Sequence, residues 1–449
     1  MVEGDSSPSP GPLGILAGSG ALPLDIAATA TAGGRAVHIL ALDGFADEGA
    51  ARYPHERVNL GQVGRMLASL RRAGCRELVI AGALSRPNLL RLKLDMGAII
   101  RVPIMLSLTR GGDDSVLRRV VRFFESEGFA VKGVADVAPH LIAPSGVLGR
   151  VQPSPEHLQT IENAARVIAA LGPFDVGQAV VASASGIVAI EGVRGTDALL
   201  ADVAQFGKGS ADGILVKLAK PGQEMRVDLP TVGPGTVAGA IRAGLTGLAI
   251  GAGQTIVINR SDFINAADAA QLFATGIDPA PPASSVAAES ASPGQPLSVL
   301  GRRAPTPADR RDVGMGRRLA AVLRRHGAGR GAVVAREHIL AVSGSLPIDG
   351  VVSALGRGSL WGRRAFRGQI GVLVLDIAGP EPGVADPSAL PGLPIFKAAL
   401  SAGLAGIACL GAGIPEERRN ELVGWANDSR VFLMAEQAPV APAGNPARR

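Results

Sequence analysis

Leu13-Gly-Ile-Leu-Ala17, followed directly by Gly18-Ser-Gly-Ala-Leu-Pro23, is the stretch that decides the fold at the start of this 449-residue chain. Its first five residues form a short apolar run, which is typical of a buried parallel strand. The glycines after it predict a tight turn, and proline suits the first turn of a helix because its fixed φ angle is already helical. The stretch therefore predicts a strand, a turn and a helix in direct succession.

The same alternation continues through the first third of the chain. Apolar runs of strand length and patterns of helix length follow one another at residues 13–17, 36–42, 62–73, 77–81 and 113–127. Strands separated by helices predict a parallel sheet with helices on its faces. We therefore expect an α/β protein whose residues 12–140 form a Rossmann-like, doubly wound N-terminal domain.

The glycine turn has two interpretations. Gly18 and Gly20 would let a phosphate approach the backbone at a helix start, where N–H groups are available. Asp43 ends the second strand, close to where dinucleotide-binding folds place an acid for the ribose. The third glycine of that fingerprint is missing, and Pro23 stands at the helix start instead. A plain tight turn into the helix is therefore the alternative to a nucleotide site.

A second α/β domain is predicted for residues 150–277. It starts with a helical pattern at residues 157–171, after a connector. Strand-like runs follow at residues 178–182, 186–190, 213–216, 247–250 and 255–258. Ser261 and Asp262 then offer an N-cap for a closing helix.

The remainder of the chain contains a linker and a repeat. Residues 278–310 are rich in proline, alanine and serine, which predicts a linker. After it, Ala179-Val-Val-Ala recurs as Ala332-Val-Val-Ala, and Arg242-Ala-Gly-Leu-Thr-Gly-Leu-Ala returns as Ser401-Ala-Gly-Leu-Ala-Gly-Ile-Ala. We interpret residues 311–437 as a degenerate extra copy of the second domain. Chance similarity between alanine- and glycine-rich segments is the alternative.

Composition excludes several classes of protein. The most apolar window, residues 236–258, contains Arg242 and Gln254, so no membrane span is predicted. The N-terminal residues lack the basic start and apolar core of a signal peptide. Cys75 and Cys409 are the only cysteines, which predicts neither a disulfide framework nor a thiolate metal site. We therefore expect a cytoplasmic protein.

The net charge of +6 comes from one segment. Residues 301–330 hold nine arginines against Asp309 and Asp312, so the rest of the chain sums to about −1. The segment lacks the aromatic residues that stack on bases, and no nucleic-acid partner is predicted. Peripheral contact with the anionic inner membrane surface and a solvated linker and helix face are the two interpretations, of which we favour the second.

Residues 217–231 hold the densest group of charges with a chemical interpretation. Lys217, Lys220 and Arg226 provide three cations within ten residues, which suits a diphosphate. Glu224 and Asp228 provide carboxylates of the kind that hold Mg²⁺ near substrate phosphates. A solvated loop with ordinary ion pairs is the alternative.

The repeat has lost these cations. Lys217 falls opposite Leu375, Lys220 falls opposite residues 378–379, and Asp386 is the nearest remaining carboxylate. We therefore expect the third domain to be non-catalytic.

Two loops of the first domain also carry polar residues at predicted strand ends or helix starts. Ser85 and Arg86 follow the third strand, and Asp113 stands at the start of a helix. Open α/β sheets bind ligands at such positions. For Asp113, a helix N-cap is the alternative.

These segments together resemble the LpxI family. The resemblance rests on Leu13-Gly-Ile-Leu-Ala-Gly-Ser-Gly-Ala-Leu-Pro, Leu84-Ser-Arg-Pro, Arg110-Gly-Gly-Asp-Asp-Ser-Val-Leu-Arg-Arg, Phe174-Asp-Val-Gly-Gln, Glu191-Gly-Val-Arg-Gly-Thr-Asp and Lys220-Pro-Gly-Gln-Glu-Met-Arg-Val-Asp-Leu-Pro-Thr. It covers residues 13–277 in order and stops before the repeat. Ser19 stands where the family commonly has glycine, and Arg194 is an insertion.

The resemblance implies hydrolysis of UDP-2,3-diacylglucosamine to 2,3-diacylglucosamine 1-phosphate (lipid X) and UMP in lipid A biosynthesis. It implies dependence on Mg²⁺ or Mn²⁺ and a lipid-linked UDP-sugar as substrate, and it maps the catalytic aspartate to Asp228. The residues assigned to substrate binding are Gly18, Ser19, Gly20, Ser85, Arg86, Asp113, Gln178, Thr196, Asp197, Lys217, Lys220, Gln223, Arg226 and Thr231, and those assigned to a metal are Asp228 and Glu224.

Two other functions are compatible with the sequence. A nucleotide or nucleotide-sugar sensor with a duplicated regulatory domain would have this domain plan without turnover. An NAD-dependent dehydrogenase would use the glycine turn. The sequence leaves the oligomeric state open.

Overall fold

The computed structural model describes residues 11–83, 95–96, 113–207, 212–278, 295–359, 369–378, 386 and 388–437, with the backbone alone at residues 113–115 and 357–359. Contacts divide the chain into two compact units. The first unit comprises residues up to Gly146, together with Gly222–Pro234 and Gly251–Ile264. The second unit comprises Val147–Pro221, Gly235–Ile250 and the chain from Asn265 onward. Both are mixed α/β structures.

The first unit is built on a sheet of five parallel strands. Their bounds are β1 Leu13–Ala17, β2 Val37–Leu42, β3 His55–Val58, β4 Glu77–Ala81 and β5 Ala130–Lys132. The strands lie in the order β3-β2-β1-β4-β5, and every pairing is parallel. The strands predicted at residues 13–17 and 77–81 are confirmed.

Helices cover both faces of this sheet. They are α1 Leu22–Ala32, α2 Val63–Arg72, α3 Asp113–Ser126 and the short α4 Val134–Val137. Successive side chains of a strand point to opposite faces. Accordingly, Ile15 belongs to the core that includes α1, whereas Leu16 belongs to the core that includes α2 and α3. The central strand is therefore buried on both sides.

The second unit contains a sheet of twelve strands. Their bounds are β6 Gly146–Val147, β7 Ala179–Ser183, β8 Gly186–Ile190, β9 Ile214–Lys217, β11 Gly247–Gly251, β13 Phe273–Ile277, β14 Leu297–Val299, β15 Gly331–Ala335, β16 His338–Val342, β17 Val372–Asp376, β18 Gly406–Leu410 and β19 Phe432–Glu436. The order is β14-β19-β18-β17-β15-β16-β8-β7-β9-β11-β13-β6. Each half of the sheet contains six strands, and the chain connects them in the same order from the outer edge to the centre in both halves. The two halves meet where β8 pairs with β16.

Strand register aligns the two halves residue by residue. In both hairpins the ladder shifts at the same step, between Val181 and Ala182 in β7–β8 and between Val333 and Val334 in β15–β16. Val180 pairs with Ile190 as Ala332 pairs with Val342, so Ala179 corresponds to Gly331. The expected match between Ala179-Val-Val-Ala and Ala332-Val-Val-Ala is therefore wrong by one residue. A short aliphatic run fits a sheet in either register, and only the bulge and the partner strands fix it.

Helices flank this sheet, and one pair of short strands lies outside both large sheets. The helices are α5 Pro155–Leu171, α6 Gly195–Phe206, α7 Pro234–Arg242, α8 Arg260–Ala269, α9 Pro307–Arg325, α10 Ile348–Ser359, α11 Leu393–Ala402 and α12 Glu416–Asp428. In the first unit, β10 Thr231–Val232 pairs with β12 Ile256–Val257. Helix α8 begins at Arg260, so the N-cap expected at Ser261 and Asp262 is wrong; Asp262 lies in the first turn.

Helices α5 and α9 begin in the same way. Ser154 accepts a hydrogen bond from the His157 N–H, and Thr306 accepts one from the Asp309 N–H, each in a capping box with proline as the first helical residue. The side chain three residues after each cap returns to the backbone of the cap. Both helices therefore have a sequence-defined N-terminus.

Much of the arginine-rich segment is folded as part of the second unit. Residues 297–299 form β14 and α9 begins at Pro307, so β14 and the start of α9 lie within residues 278–310, which were expected to be a linker. Arg311, Arg317, Arg324 and Arg330 form ion pairs with Glu337, Glu436, Asp376 and Asp386, respectively. Within the described parts of the chain, no helix is both long and apolar enough to cross a membrane.

Candidate active site

The charged stretch at residues 217–231 is shared between the two units. Lys217 and Lys220 belong to the second unit, and Gly222–Pro234 belongs to the first. Strand β9 includes Lys217, one residue beyond the apolar run predicted from the sequence. The stretch is therefore not one solvated loop, because its two ends are held by different cores.

A buried chain of polar side chains surrounds Lys217. The Lys217 ammonium donates a hydrogen bond to the Thr196 hydroxyl over 2.8 Å, and that hydroxyl donates to the Glu191 carboxylate over 2.7 Å. Lys217 is 7% exposed and Glu191 is 8% exposed. Because the Thr196 hydroxyl both accepts and donates here, it fixes the direction of the Lys217 side chain.

The other residues of the second unit lie close to these strands. The Lys220 ammonium forms an ion pair with Asp175. Gln178 precedes β7, and its carbonyl accepts a hydrogen bond from the Leu218 N–H over 2.9 Å. Asp197 is exposed in the first turn of α6. The carboxyl end of β9 is thus lined by two cations and by polar groups from β8 and α6.

The rest of the stretch is anchored in the first unit by apolar side chains. Val227 packs against one of the two cores of that unit and Leu229 packs against the other. The Arg226 backbone lies so close to Gly133 that a Cβ atom on that glycine would be 3.3 Å from the Arg226 Cα. Residues 226–229 are therefore held by packing on both sides of Asp228.

Arg226 is clamped by two carboxylates. Its Nε and Nη2 donate to the two oxygens of Glu224 over 2.8 and 3.0 Å, and its Nη1 donates to Glu125 on α3 over 2.6 Å. Hydrogen bonds from Arg226 hold the pKa of Glu224 below its usual value of 4.5. The Glu224 carboxylate is therefore ionised and directed at Arg226.

Asp228 differs from its charged neighbours. Its N–H donates to the Glu224 carbonyl over 3.0 Å, which closes a turn. The side chain is half-buried, and among the described residues its carboxylate has no hydrogen-bond or ion-pair partner. Gln223, five residues earlier, is buried, and Thr231 begins β10. Asp228 is therefore positioned by its backbone while its carboxylate stays available.

The glycine turn after β1 meets the end of β4. Ser19 exchanges backbone hydrogen bonds with Ala83 over 2.9 Å, and its hydroxyl donates to the Ala83 carbonyl over 2.8 Å. A Cβ atom on Gly18 would be 2.7 Å from that carbonyl oxygen, so the residue must be glycine, whereas Gly20 is exposed at φ +95°. The predicted residues Ser85 and Arg86, and the side chain of Asp113, lie outside the described residues.

The geometry of the carboxylates bears on the metal assignment. Glu224 is engaged by Arg226 through both oxygens, and Asp228 is available. In the parts of the chain that the structure describes, no group of three or more His, Cys, Asp or Glu side chains could hold a metal ion. One carboxylate, completed by water and substrate phosphate oxygens, is a ligand set that Mg²⁺ accepts.

Three carboxylates without a predicted role are connected to the predicted cations. Glu191 and Asp175 lie within segments that carry the family resemblance, so their position there was a usable signal. Glu125 lies in an amphipathic helix, 101 residues from Arg226. Only the folded structure brings that pair together.

Comparison with known proteins identifies the family to which the chain is similar. The model of the LpxI N-terminal domain matches residues 12–141, and the model of the LpxI C-terminal domain matches residues 144–275. The chain is 41% identical over 273 residues to the UDP-2,3-diacylglucosamine pyrophosphatase LpxI of Caulobacter vibrioides. That alignment covers 98% of the relative and 60% of this chain.

The chain belongs to the LpxI family. The two family domains contain every residue assigned to the site. They end before residues 311–437.

The two positions at which the sequence was expected to depart from the LpxI pattern have structural partners. Arg194, expected from the resemblance to be an insertion, is the N-cap residue of α6 and forms an ion pair with Asp202 of that helix. Ser19 uses its hydroxyl on the Ala83 carbonyl, as described above. Each polar group is thus satisfied within its own unit.

Proposed function

We propose that this chain hydrolyses the diphosphate of UDP-2,3-diacylglucosamine to UMP and 2,3-diacylglucosamine 1-phosphate, a step of lipid A biosynthesis. Family membership and the similarity to the UDP-2,3-diacylglucosamine pyrophosphatase of Caulobacter vibrioides support the substrate. The observation that carries the chemistry is Asp228, whose carboxylate has no partner among the described residues, although the adjacent Glu224 and Arg226 are locked together.

Asp228 is the residue that activates the attacking water. A water oxygen adds to one phosphorus of the diphosphate, the P–O–P bond breaks, and a proton of the water must be accepted. An ionised carboxylate without a protein partner can accept that proton or hold a divalent cation that lowers the pKa of the water. The packing of Val227 and Leu229 fixes the backbone that carries it.

The cations stabilise the phosphate charge that develops as the bond breaks. Lys217 is oriented by Thr196 and is nearly excluded from water, so its charge acts in a medium of low polarity, where such interactions are strongest. Lys220 and Arg226 supply further positive charge, although Lys220 is paired with one carboxylate and Arg226 with two. Substrate phosphates would compete with those carboxylates.

Activity is proposed to require Mg²⁺ or Mn²⁺. When bound, the ion would offset charge on the diphosphate. Asp228 would hold it, together with water and phosphate oxygens. Both oxygens of Glu224 already accept hydrogen bonds from Arg226. Glu224 would therefore support the metal indirectly, through its pair with Arg226.

The proposal is tested by product analysis. Purified chain, treated with a chelator, is incubated with UDP-2,3-diacylglucosamine, with and without added Mg²⁺, and the nucleotide products are separated. We expect UMP and the 1-phosphate, formed only with the metal. Release of UDP in place of UMP, or the same rate without a divalent cation, would refute the reaction or the metal requirement, respectively.

We also propose that the first unit is Rossmann-like and that residues 311–437 are a degenerate, non-catalytic copy of the second domain. The strand order β3-β2-β1-β4-β5 and the helices on both faces support the first statement. Gly247 lies beneath the ring of Phe273 as Gly406 lies beneath that of Phe432, with a hypothetical Cβ 2.3 and 2.4 Å from the ring carbons, which supports the second.

A location in the cytoplasm, with peripheral contact at the inner membrane, is proposed as well. A substrate with two acyl chains resides in a lipid surface, and the arginine-rich helix α9 carries excess positive charge. Sedimentation with anionic vesicles, but not with neutral ones, would support this contact. Absence of the protein from the anionic pellet at low salt would contradict it.

A further inference from the structure

The two halves of the twelve-stranded sheet meet at corresponding residues. Strand β8 pairs antiparallel with β16, and the paired residues are Ile190 and Val342. These two residues occupy equivalent positions in their hairpins. The difference between their residue numbers is the interval that relates each residue of one half to its equivalent in the other. A contact between equivalent positions is what a two-fold axis produces.

The hydrogen bonds beside this pair are reciprocal. The Val193 N–H donates to the Leu340 carbonyl over 3.1 Å, and the Ser345 N–H donates to the Val188 carbonyl over 3.0 Å. By the same interval, Val193 corresponds to Ser345 and Val188 corresponds to Leu340. Each bond is therefore the image of the other, with donor and acceptor exchanged between the halves.

The closest backbone contacts obey the same rule. A Cβ atom on Gly192 would be 2.5 Å from the Leu340 carbonyl oxygen, and one on Gly344 would be 2.4 Å from the Val188 carbonyl oxygen. Glycine is thus required at both equivalent positions, because any side chain would separate the two edges.

The apolar core across the junction is also shared in matched pairs. Val167 and Leu171 of α5 lie in one cluster with Leu319 and Leu323 of α9, and the interval that relates Ile190 to Val342 also relates these residues in order. The junction therefore combines a continuous sheet with a helix pair on one face, as in a domain core divided between two partners.

We propose that the third domain takes the place of a second copy of this chain, and that β8 is a self-complementary edge built to pair with the β8 of another copy. The inference rests on the proposed repeat and goes beyond it. An isologous interface uses one surface twice, and here the second use is supplied by the fused domain. In the intact chain β16 covers β8, so this edge does not make dimers.

An uncovered β8 would carry both unpaired backbone groups and apolar side chains. Ile190 and Val188 are 4% and 6% exposed with β16 in place. Exposed strand edges of this kind associate with other strands. The reciprocal register favours one partner, a second β8, over a mixture of partners.

The first experiment uses the full chain of 45.5 kDa. Gly344→Val places a β-branched side chain at φ +57° and against the Val188 carbonyl, so it should displace β16 without changing the second domain. We expect the Gly344→Val, Ile190→Cys double variant to have twice the mass of the single chain by light scattering. Under mild oxidation, a disulfide between the two introduced cysteines should join its two chains. Ile190→Cys alone should stay monomeric and unlinked.

A register control separates specific pairing from adhesion of an apolar edge. In a self-paired β8, two copies of residue 190 face each other, whereas two copies of residue 188 lie about 13 Å apart along the strands. Val188→Cys with Gly344→Val should therefore dimerise without a disulfide. Equal cross-linking at both positions would overturn the proposal.

A chain ending at Asp278 lacks β16 altogether. It therefore tests the proposal even if Gly344→Val fails to displace β16 from β8. The relative, covered over 98% of its length, shows that the two family domains exist as a protein without the third. We expect a folded dimer at micromolar concentration that cross-links through Ile190→Cys. A folded monomer, an unfolded chain or a polydisperse aggregate would each contradict the proposal. No substrate enters this measurement, so its outcome is independent of the proposed hydrolysis.

Discussion

Replacement of Thr196 by valine probes the buried chain that orients Lys217. Valine keeps the shape of threonine and removes only the hydroxyl, which bonds both the Lys217 ammonium and the Glu191 carboxylate. A hydrogen bond to a charged group contributes about 1.5–3 kcal/mol. Thr196 is only half-buried, so water replaces part of the loss. We therefore expect the second domain to be destabilised by about 2 kcal/mol, within the range for one such bond.

The effect on catalysis follows from the loss of orientation. If Lys217 stabilises charge in the transition state, allowing it to move should lower kcat/KM by about 10- to 100-fold, since each factor of ten corresponds to about 1.4 kcal/mol. UMP release measures the rate, and amide hydrogen exchange of β9 measures the local stability. Thr196→Ser keeps the hydroxyl and should restore most of both.

The proposed repeat offers a matched control for this substitution. Ile348, at the start of α10, occupies the position equivalent to Thr196 at the start of α6, by the same interval that relates Ile190 to Val342. Ile348→Val should leave kcat/KM unchanged. A Thr196→Val enzyme with wild-type kcat/KM and unchanged exchange in β9 would refute the role given to the chain.

Three further predictions concern packing and titration. Gly247→Ala and Gly406→Ala each drive a methyl group into a phenylalanine ring, so each should lower stability by about 1–3 kcal/mol, measured as a shift in thermal unfolding; no shift in either would contradict the packing. Since Arg226 lowers the pKa of Glu224, the stability from this pair is complete above pH 4.5 and is lost as the pH falls through the folded-state value. Glu224→Gln should remove roughly 1 kcal/mol of that acid-sensitive stability, seen as a smaller change in urea midpoint between pH 6 and pH 3. Burial raises the pKa of Cys409 to about 12, so iodoacetamide should label it at pH 8 only after denaturation; rapid labelling of the native protein would contradict this.

The sequence predicted elements whose pattern is local. Residues 13–17 and 77–81 are strands as expected, because a short apolar run between helical patterns has few other solutions. Recurring glycine and alanine motifs led to the interpretation of residues 311–437 as a copy of the second domain, whereas the order of the strands was not predicted. The one-residue error at Ala179 arose because aliphatic residues are interchangeable within a strand, whereas register depends on the bulge and on the neighbouring strands.

The charged stretch shows what the sequence could not supply. The sequence identified Lys217 as a cation. It did not predict the burial of that side chain, because burial depends on β9 extending one residue further than the apolar run. The sequence grouped Glu224 and Asp228 as two carboxylates of the same kind. In the structure, Arg226 binds Glu224 and does not bind Asp228. Side-chain pairing across long sequence separations is set by packing, which charge patterns do not encode.

The central claim is that Asp228 carries the chemistry and that Asp386, the nearest remaining carboxylate of the proposed copy, does not. The direct measurement compares UMP release from UDP-2,3-diacylglucosamine by the wild type, Asp228→Asn and Asp386→Asn, at saturating Mg²⁺. Loss of a group that acts in the transition state lowers kcat along with kcat/KM. We predict a loss of about 1000-fold or more, roughly 4 kcal/mol, for Asp228→Asn, and a change below about tenfold for Asp386→Asn. A near-normal kcat for a folded Asp228→Asn enzyme, or an equal loss in Asp386→Asn, would contradict the account.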